Sequence, residues 1–225
     1  MNGLFITFEG IDKSGKSTQA EMLSERLERL GHEVVLTLEP GGTPLGKKIR
    51  ELVLGKEYDT ADRTEVLLFA ADRAQHIHEV ILPALKVGKV VISDRFVDST
   101  IAYQGYGRGM EFTRLNQVQE IATGGLRPDL TFWIDIELEI SRERKLLDNP
   151  DRVETGGKPF YENVRRGYQT LYDSEPERIK RLDGTQSIPA IAQQILETVC
   201  NHKQIEVVEC SEPGTTKGSR ASNQG

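Results

Sequence analysis

The feature that most constrains this chain is a glycine-rich stretch near its start. Residues 8–18 have the sequence FEGIDKSGKST, in which four residues separate Gly10 from Gly15, Lys16 and Ser17. The stretch follows an apolar run and opens a segment of helical periodicity, and in such a strand–turn–helix unit the N–H groups at the helix N-terminus bind anions. The pattern predicts a loop that binds phosphate groups; the alternative is a glycine-rich turn that only caps a helix.

Each residue type in this stretch has a part in the expected site. Glycines let the backbone approach the anion closely, Lys16 can reach the terminal phosphates, and the Ser17 hydroxyl can ligate Mg²⁺. The predicted phosphate-binding residues are Gly10, Ile11, Asp12, Lys13, Ser14, Gly15, Lys16, Ser17 and Thr18. The loop alone does not define the reaction, because kinases, ATPases and GTPases all use it.

Short apolar runs alternate with longer segments of helical periodicity along most of the chain. The runs cover residues 4–8, 34–38, 89–93, 130–135 and 178–182. Because they are continuous rather than alternating, they indicate strands buried on both faces, as in a parallel sheet flanked by helices. We predict an α/β fold with three αβα layers and a mainly parallel, five-stranded sheet whose binding crevice lies at the carboxyl ends of the strands.

Three of the helical segments carry apolar residues on one face. These faces are Ala20, Leu23, Leu27 and Leu30; Leu67, Ala71, Ala74, Ile77, Ile81 and Leu85; and Ile188, Ile191, Ile195 and Val199. We expect each of them to cover one side of the sheet.

Length and composition favour one globular domain. The chain has 225 residues, 37% of them hydrophobic, and we expect the domain to span residues 1–203. A net charge of −6 argues against an extended nucleic-acid surface, and no run predicts a membrane span or a signal peptide. With only two cysteines, both near the C-terminus, we expect a cytoplasmic protein without a disulfide framework.

Two segments are predicted to lie apart from the packed elements. Residues 142–158 form a predicted mobile lid around a stretch rich in Pro, Gly, Asp and Asn. Residues 204–225 form a predicted tail that is disordered from residue 212, because it has no periodicity and little apolar content.

A second group of candidate residues ends the third predicted strand. The sequence VVISDR places Asp94 and Arg95 at the crevice, where the carboxylate can help to hold Mg²⁺ and the guanidinium can bridge the phosphoryl donor and acceptor. The alternative is an ion pair at a strand end with no functional role.

Five segments in order resemble the thymidylate kinase family, in its bacterial form. They are FEGIDKSGKSTQ from residue 8, EPGGTPLGKKIR from 39, LLFAADRAQH from 67, DRFVDSTIAYQGYGRG from 94 and GGLRPDLTFWIDI from 124. The resemblance extends from about residue 4 to 196 and implies a P-loop NTPase fold, a homodimer, and phosphorylation of dTMP to dTDP with ATP and Mg²⁺. It also implies an acceptor site formed by Glu39, Arg50, Phe69, Arg73, Arg95, Ser99, Thr100, Tyr103 and Gln104.

Arginine and aromatic residues of this set are expected to hold the phosphate and the base. By resemblance, Arg50 binds the dTMP phosphate, while Phe69 stacks on thymine and Arg73 bonds its carbonyl. Phe69 and Arg73 are four residues apart and so share a helix face. Without the resemblance, Phe69 is better explained as a core residue and Arg50 as part of a solvated helix face.

Polar residues of the set are expected to read the base edge and the sugar. The resemblance assigns Ser99, Thr100 and Gln104 to the base and Tyr103 to the sugar 2′ position, which favours deoxyribose. As bare sequence, these residues form only a polar helix start. Glu39 can fix a guanidinium or the acceptor 3′-hydroxyl, although an acidic residue before the PGGTP turn is common without any such role.

Phosphoryl transfer between two anions requires cations from both sides. We assign Lys16 and Mg²⁺ to the donor and Arg50 and Arg95 to the acceptor phosphate, with Asp12 orienting the metal or the reacting phosphate. Lys13 and a lid arginine, with Arg152 preferred for its bidentate geometry, remain alternatives for the transition-state charge. The other basic residues near the lid are Arg142, Arg144, Lys145 and Lys158, and this charge run can equally be a solvated helix end.

Two other functions compete with a thymidylate kinase. One is another nucleoside or nucleotide kinase with the same architecture, and the other is a nucleotide-binding switch without phosphotransfer. The second leaves Arg50, Arg73 and Arg95 unexplained.

Overall fold

A computed structural model describes residues 3–55, 57–145 and 157–203. Five parallel strands form one sheet in the order β2-β3-β1-β4-β5. The strands are β1 (Leu4–Glu9), β2 (Val34–Leu38), β3 (Val90–Asp94), β4 (Leu130–Asp135) and β5 (Ile179–Asp183). The predicted α/β fold with a five-stranded parallel sheet is confirmed, and each strand lies within one residue of its predicted run.

Helices connect the strands and cover both sides of the sheet. They are α1 (Lys16–Arg29), α2 (Pro44–Leu54), α3 (Asp62–His76), α4 (Leu82–Lys86), α5 (Val97–Thr100), α6 (Phe112–Thr123), α7 (Leu138–Lys145), α8 (Lys158–Ser174) and α9 (Ile188–Lys203). Two π-helical segments, Ile77–Ile81 and Ile101–Gly107, continue α3 and α5. Wide turns of this type often occur at functional sites.

Side chains of the strands pack in two directions. Leu4, Ile6 and Phe8 of β1 join an apolar cluster with α1 and α9, whereas Phe5 joins one with the segment that follows α3. The residues that form the predicted apolar faces of α1 and α9 lie in or against the first cluster, apart from Ile188, which is exposed. Burial on both faces explains why the strands are continuously apolar.

For one of the predicted apolar faces, the prediction that it covers the sheet is wrong over half of its length. Ile77, Ile81 and Leu85 are buried as expected, but Leu67, Ala71 and Ala74 of α3 face outward, with Leu67 59% exposed. The buried side of α3 carries four polar residues, Glu65, Asp72, Arg73 and His76, beside Val66 and Ala70. The reason is position: α3 lies over the crevice at the carboxyl ends of the strands, so its inner side meets polar groups rather than the apolar side of the sheet.

Parts of two predicted segments cannot be compared with the structure. Residues 146–156 of the predicted lid, including Arg152, and the predicted tail at residues 204–225 lie outside the described residues. Within the described part of the chain, no helix combines the length and apolar character needed to cross a membrane.

Candidate active site

The glycine-rich loop follows β1 and ends at the N-terminus of α1. Gly10 and Gly15 have φ angles of 140° and 105°, which favour glycine, and a Cβ on Gly10 would lie 2.5 Å from the Ile134 carbonyl oxygen. No side chain caps α1, so the N–H groups of its first turn are directed into the loop. This geometry matches an anion-binding loop.

Lys16 lies inside this loop rather than in solvent. Its Nζ donates to the Ile11 carbonyl oxygen at 2.9 Å, and the side chain is buried. Burial, and next the charge of Arg95, lower the pKa of Lys16 to about 8. An anion in the loop would therefore interact with a poorly hydrated ammonium group, which strengthens the attraction.

Ser17, in the first turn of α1, forms a pair with Asp94 at the end of β3. Ser17 Oγ donates to Asp94 Oδ2 at 2.5 Å, and Asp94 Oδ1 is buried without a hydrogen-bond partner among the described residues. A buried carboxylate oxygen with unused capacity beside a hydroxyl is the donor set that Mg²⁺ prefers. The two residues predicted as metal ligands therefore fit a divalent cation.

A groove of about 510 Å³ runs beside the loop. It is lined by residues 13–19 and by Arg144, Gly184, Gln186, Ile188 and Ile191. Arg144 of α7 donates to the carbonyl oxygens of Lys13, Ser14 and Gly184 at 2.9–3.3 Å. Of the basic residues considered near the lid, Arg144 contacts the loop, while Lys158 pairs with Glu139 at 2.8 Å.

On the other side of the loop lies a cavity of about 180 Å³. All nine residues predicted for the acceptor site line it: Glu39, Arg50, Phe69, Arg73, Arg95, Ser99, Thr100, Tyr103 and Gln104. Asp12 of the loop lines the cavity as well, together with Pro40, Leu54 and Phe96. The loop therefore separates two adjoining spaces.

Arg95 lines the cavity and contacts the loop. Its Nη2 donates to Asp12 Oδ1 at 2.5 Å, and its Nη1 donates to the Gly10 carbonyl oxygen and to Ser99 Oγ at 3.1 and 3.0 Å. The Arg95 backbone has a φ of 75°, a conformation that is costly for a non-glycine residue. Such a conformation persists only where surrounding contacts hold it, and here it directs the guanidinium toward the loop.

Tyr103 covers the Arg95 guanidinium. The carbon at the centre of that group lies 5.2 Å from the ring centroid, and the phenol donates to Asp12 Oδ2 at 3.4 Å. Burial, and next Asp12, raise the pKa of Tyr103 well above its usual value. The phenol therefore keeps its proton, and acts as a hydrogen-bond donor, at neutral pH.

Glu39 holds Arg73 at the far end of the cavity. Its Oε2 accepts from Arg73 Nε at 2.8 Å, and its Oε1 lies 2.9 Å from His76 Nδ1. Arg73 Nη1 also donates to Thr100 Oγ1 at 3.1 Å and to Gln119 Oε1. Of the two roles considered for Glu39, the structure places it on a guanidinium.

The PGGTP turn is anchored by a carboxylate from α3. Asp72 Oδ1 accepts from the Gly41 N–H at 3.0 Å, and Arg50 Nη1 donates to the Pro40 carbonyl oxygen at 2.7 Å. Burial, and next Glu39, raise the pKa of Asp72 to about 6. Asp72 therefore fixes the turn against which Arg50 lies.

Sequence reasoning missed a buried carboxylate behind the cavity. Glu9 ends β1 and accepts from the Phe96 N–H at 2.8 Å, from Ser99 Oγ at 2.5 Å and from the Tyr168 hydroxyl at 3.0 Å. Burial, and next Asp98, raise its pKa to about 7. An acidic residue at the end of an apolar strand was a visible signal for Glu9, whereas nothing in the sequence marked Tyr168.

The fold and these two spaces define a P-loop kinase of the kind that binds two nucleotides, one on each side of its phosphate-binding loop. Comparison with known proteins agrees, because the family profile described as thymidylate kinase matches residues 8–195. The chain is 46% identical to the thymidylate kinase of Nostoc sp. over 206 residues, covering 90% of this chain and 98% of that one. It is 48% identical to that of Halothermothrix orenii over 203 residues, covering 88% and 97%.

A solved structure extends the comparison to three dimensions. The crystal structure of thymidylate kinase from Ehrlichia chaffeensis superposes with a TM-score of 0.73 and 35% sequence identity, covering 88% of this chain and 99% of that one. The chain belongs to the thymidylate kinase family, the enzymes that phosphorylate dTMP to dTDP.

Proposed function

We propose that this chain transfers the terminal phosphoryl group of ATP to dTMP, with ATP in the groove beside the loop and dTMP in the cavity behind Asp12. The observation that carries the proposal is that the loop lines both spaces, with Asp12 on the cavity and its neighbour Lys13 on the groove. A donor and an acceptor bound on either side of this pair would meet with their phosphates adjacent, which is the arrangement that phosphoryl transfer needs.

The donor side supplies charge that does not have to be reorganised during the reaction. Lys16 and the N–H groups at the start of α1 bind the terminal phosphates of ATP. Ser17 and Asp94 would hold Mg²⁺, which would neutralise phosphate charge. Asp12 orients the metal or the reacting phosphate from its place beside Arg95.

The acceptor side fixes the phosphate and the base separately. Arg50 and Arg95 bind the dTMP phosphate, and Phe69 and Arg73 bind thymine through one helix face. Thr100, Ser99 and Gln104 lie along the base edge, while Tyr103 crowds the sugar 2′ position. The acceptor phosphate is largely ionised at neutral pH, so the reaction needs no strong general base.

Transition-state charge comes from the lid side in this proposal, through Arg152, with Lys13 as the alternative. Lys13 carries a single ammonium, whereas an arginine can contact two phosphate oxygens at once. Arg144 has a different part, because its bonds to loop carbonyls make it a support for the loop. The lid at residues 142–158 and the sheet belong to one kinase domain over residues 1–203, which acts in the cytoplasm.

Acceptor-dependent ADP release tests the function. A panel of dTMP, dUMP, UMP, CMP, AMP and thymidine should show the highest kcat/KM with dTMP. The Arg50→Met variant should raise the KM for dTMP at least about tenfold, because it removes a charge-assisted phosphate contact. Lys48→Met is the matched control, since Lys48 lies on the same helix and pairs with Glu51 at the surface. ATP binding without acceptor-dependent turnover would instead favour a nucleotide-binding switch.

The outward face of α3 supports a homodimer. Leu67, Ala71 and Ala74 form an exposed apolar stripe on a helix whose inner side lines the acceptor cavity. An apolar stripe of this kind is typical of a subunit interface. Leu67→Glu should shift the sedimentation coefficient to that of a monomer, whereas Val87→Glu, at another exposed apolar position, should not.

A further inference from the structure

Glu65 is a buried carboxylate that lies directly behind a residue of the acceptor cavity. It belongs to the first turn of α3, and its side chain has no exposed surface. Gln104 Nε2 donates to Glu65 Oε1 at 2.8 Å, and Gln104 itself is buried and lines the cavity. The contact therefore joins a group remote from the cavity to one at its wall.

The chemistry of Glu65 fixes which end of the Gln104 amide faces the cavity. An ionised carboxylate can only accept hydrogen bonds, so it binds the amide nitrogen and not the amide oxygen. Arg108 supplies the compensating charge, with its Nη2 3.2 Å from Glu65 Oε2 and its Nε 3.4 Å from Oε1. With Nε2 held by Glu65, the Gln104 amide oxygen remains as the group that can accept from a ligand.

Arg73 offers the opposite polarity in the same cavity. Its Nε and Nη1 bond Glu39, Thr100 and Gln119, and within the described residues Nη2 is the guanidinium nitrogen without a hydrogen bond. The cavity thus presents a donor from Arg73 and an acceptor from Gln104. Thymine has a 4-keto acceptor next to an N3–H donor, whereas cytosine has a 4-amino donor next to an N3 acceptor.

We propose that Glu65 is a specificity-determining positioning residue, which holds the Gln104 amide in the orientation that accepts from a pyrimidine N3–H and so excludes cytosine-type acceptors. The inference rests on the proposed dTMP site. It adds a residue that touches no substrate and yet sets which base edge the site accepts. When a buried polar group of the protein faces a mismatched polar group of the ligand, the loss of binding free energy exceeds that of one missing contact, because both groups are left unpaired.

Glu65→Gln is the variant that isolates this effect, because it keeps the shape and removes the charge. If the amide oxygen of the new glutamine accepts from Arg108, the NH₂ group of that glutamine would face Gln104. Gln104 would then turn its own oxygen toward residue 65 and its NH₂ group toward the cavity. The acceptor presented to the base would become a donor, which suits the N3 of cytosine.

The assay compares kcat/KM for dTMP and for 5-methyl-dCMP, which keeps the 5-methyl group and differs only in the base edge. We expect Glu65→Gln to lower the preference for dTMP at least about tenfold, mainly through KM. Asp62→Asn is the control. Asp62 lies on the same helix, its Oδ1 lies 3.4 Å from Nε of the same Arg108, and its side chain is half exposed. It should leave the preference within about twofold, in line with an exposed ion pair.

A second background shows whether the effect passes through Gln104. The Gln104→Met variant removes the amide and should itself lower the preference for dTMP, and in that background Glu65→Gln should change it less than about twofold. An unchanged preference in folded Glu65→Gln, or in Gln104→Met if the first variant does not fold, would overturn the proposal. Wild-type turnover of dTMP tests the proposed function separately, so a failure of one is not a failure of the other.

Discussion

Glu9→Gln tests how the buried carboxylate behind the cavity is held. The pKa of Glu9 rises from its usual 4.5 to about 7, chiefly through burial and next through the charge of Asp98, against the opposing effects of Ser99, Arg95 and the Phe96 N–H. The folded protein therefore binds the Glu9 proton more tightly than the unfolded chain does. The stability from the protonated carboxyl is complete below pH 4.5 and is lost as the pH rises through about 7.

The size of this effect follows from the two pKa values. A rise from 4.5 to about 7 corresponds to about 3 kcal/mol of unfolding free energy between low and high pH. Glutamine resembles the protonated acid and does not titrate, so the variant should match wild type near pH 4.5 and exceed its stability by about 3 kcal/mol above pH 7.5. A substitution behind the active site is thus expected to stabilise the fold at neutral pH.

Urea denaturation at half-unit steps from pH 4.5 to 8 measures this difference. Subtracting the two curves removes the contributions of other groups, including Asp72, whose pKa of about 6 gives wild type a slope of the same sign. Glu28→Gln, at an exposed position of α1, is the control and should change the stability by less than about 0.5 kcal/mol, as is usual for a surface substitution. A pH-independent difference between Glu9→Gln and wild type would refute the assignment of a raised pKa to Glu9.

Three further predictions concern the cations of the site. Asp94→Asn should raise the Mg²⁺ concentration for half-maximal turnover at least about tenfold, measured by titration at saturating substrates, because it replaces the carboxylate beside Ser17 with a neutral amide. Arg152→Ala should lower kcat at least about a hundredfold with little change in KM, whereas an effect under threefold, with a large loss in Lys13→Ala, would move the transition-state role to Lys13. Arg73→Met should destabilise the protein by about 3–5 kcal/mol in urea titrations, because it leaves buried Glu39 without its guanidinium; a loss below 1 kcal/mol would show that His76 compensates.

The strands and the acceptor residues were predictable for different physical reasons. Continuous apolar runs locate buried parallel strands, and the glycine pattern marks the loop, because both depend on local sequence. The acceptor residues come from three of the segments that resemble the family, and residue type alone favoured a core role for Phe69. The resemblance to a family predicted that these residues form one site, and all nine line the described cavity.

Contacts across the fold were the part that the sequence could not reveal. Glu65 meets Gln104, and Glu9 meets Tyr168, across sequence separations of 39 and 159 residues. The apolar pattern of α3 was also misassigned, since apolar residues alone do not show whether a helix packs on the sheet or over its edge. The inner face of α3 is mostly polar because it lines a site, and a helix with an exposed apolar stripe and a polar inner face gives a misleading period.

The three arginines of the acceptor cavity are each bonded before any phosphate arrives. Arg73 is held by Glu39, Arg95 by Asp12, and Arg50 by the Pro40 carbonyl oxygen. These bonds reduce the conformational entropy that substrate binding would otherwise remove from long side chains, and they keep three cations close together in a protein of net charge −6. The carbonyl contact of Arg50 is the weakest restraint because its partner carries no formal charge, so Arg50 can turn toward a phosphate at the lowest cost. Arg95 is paired with the charged Asp12, so in the proposed reaction it would share its guanidinium between Asp12 and the acceptor phosphate.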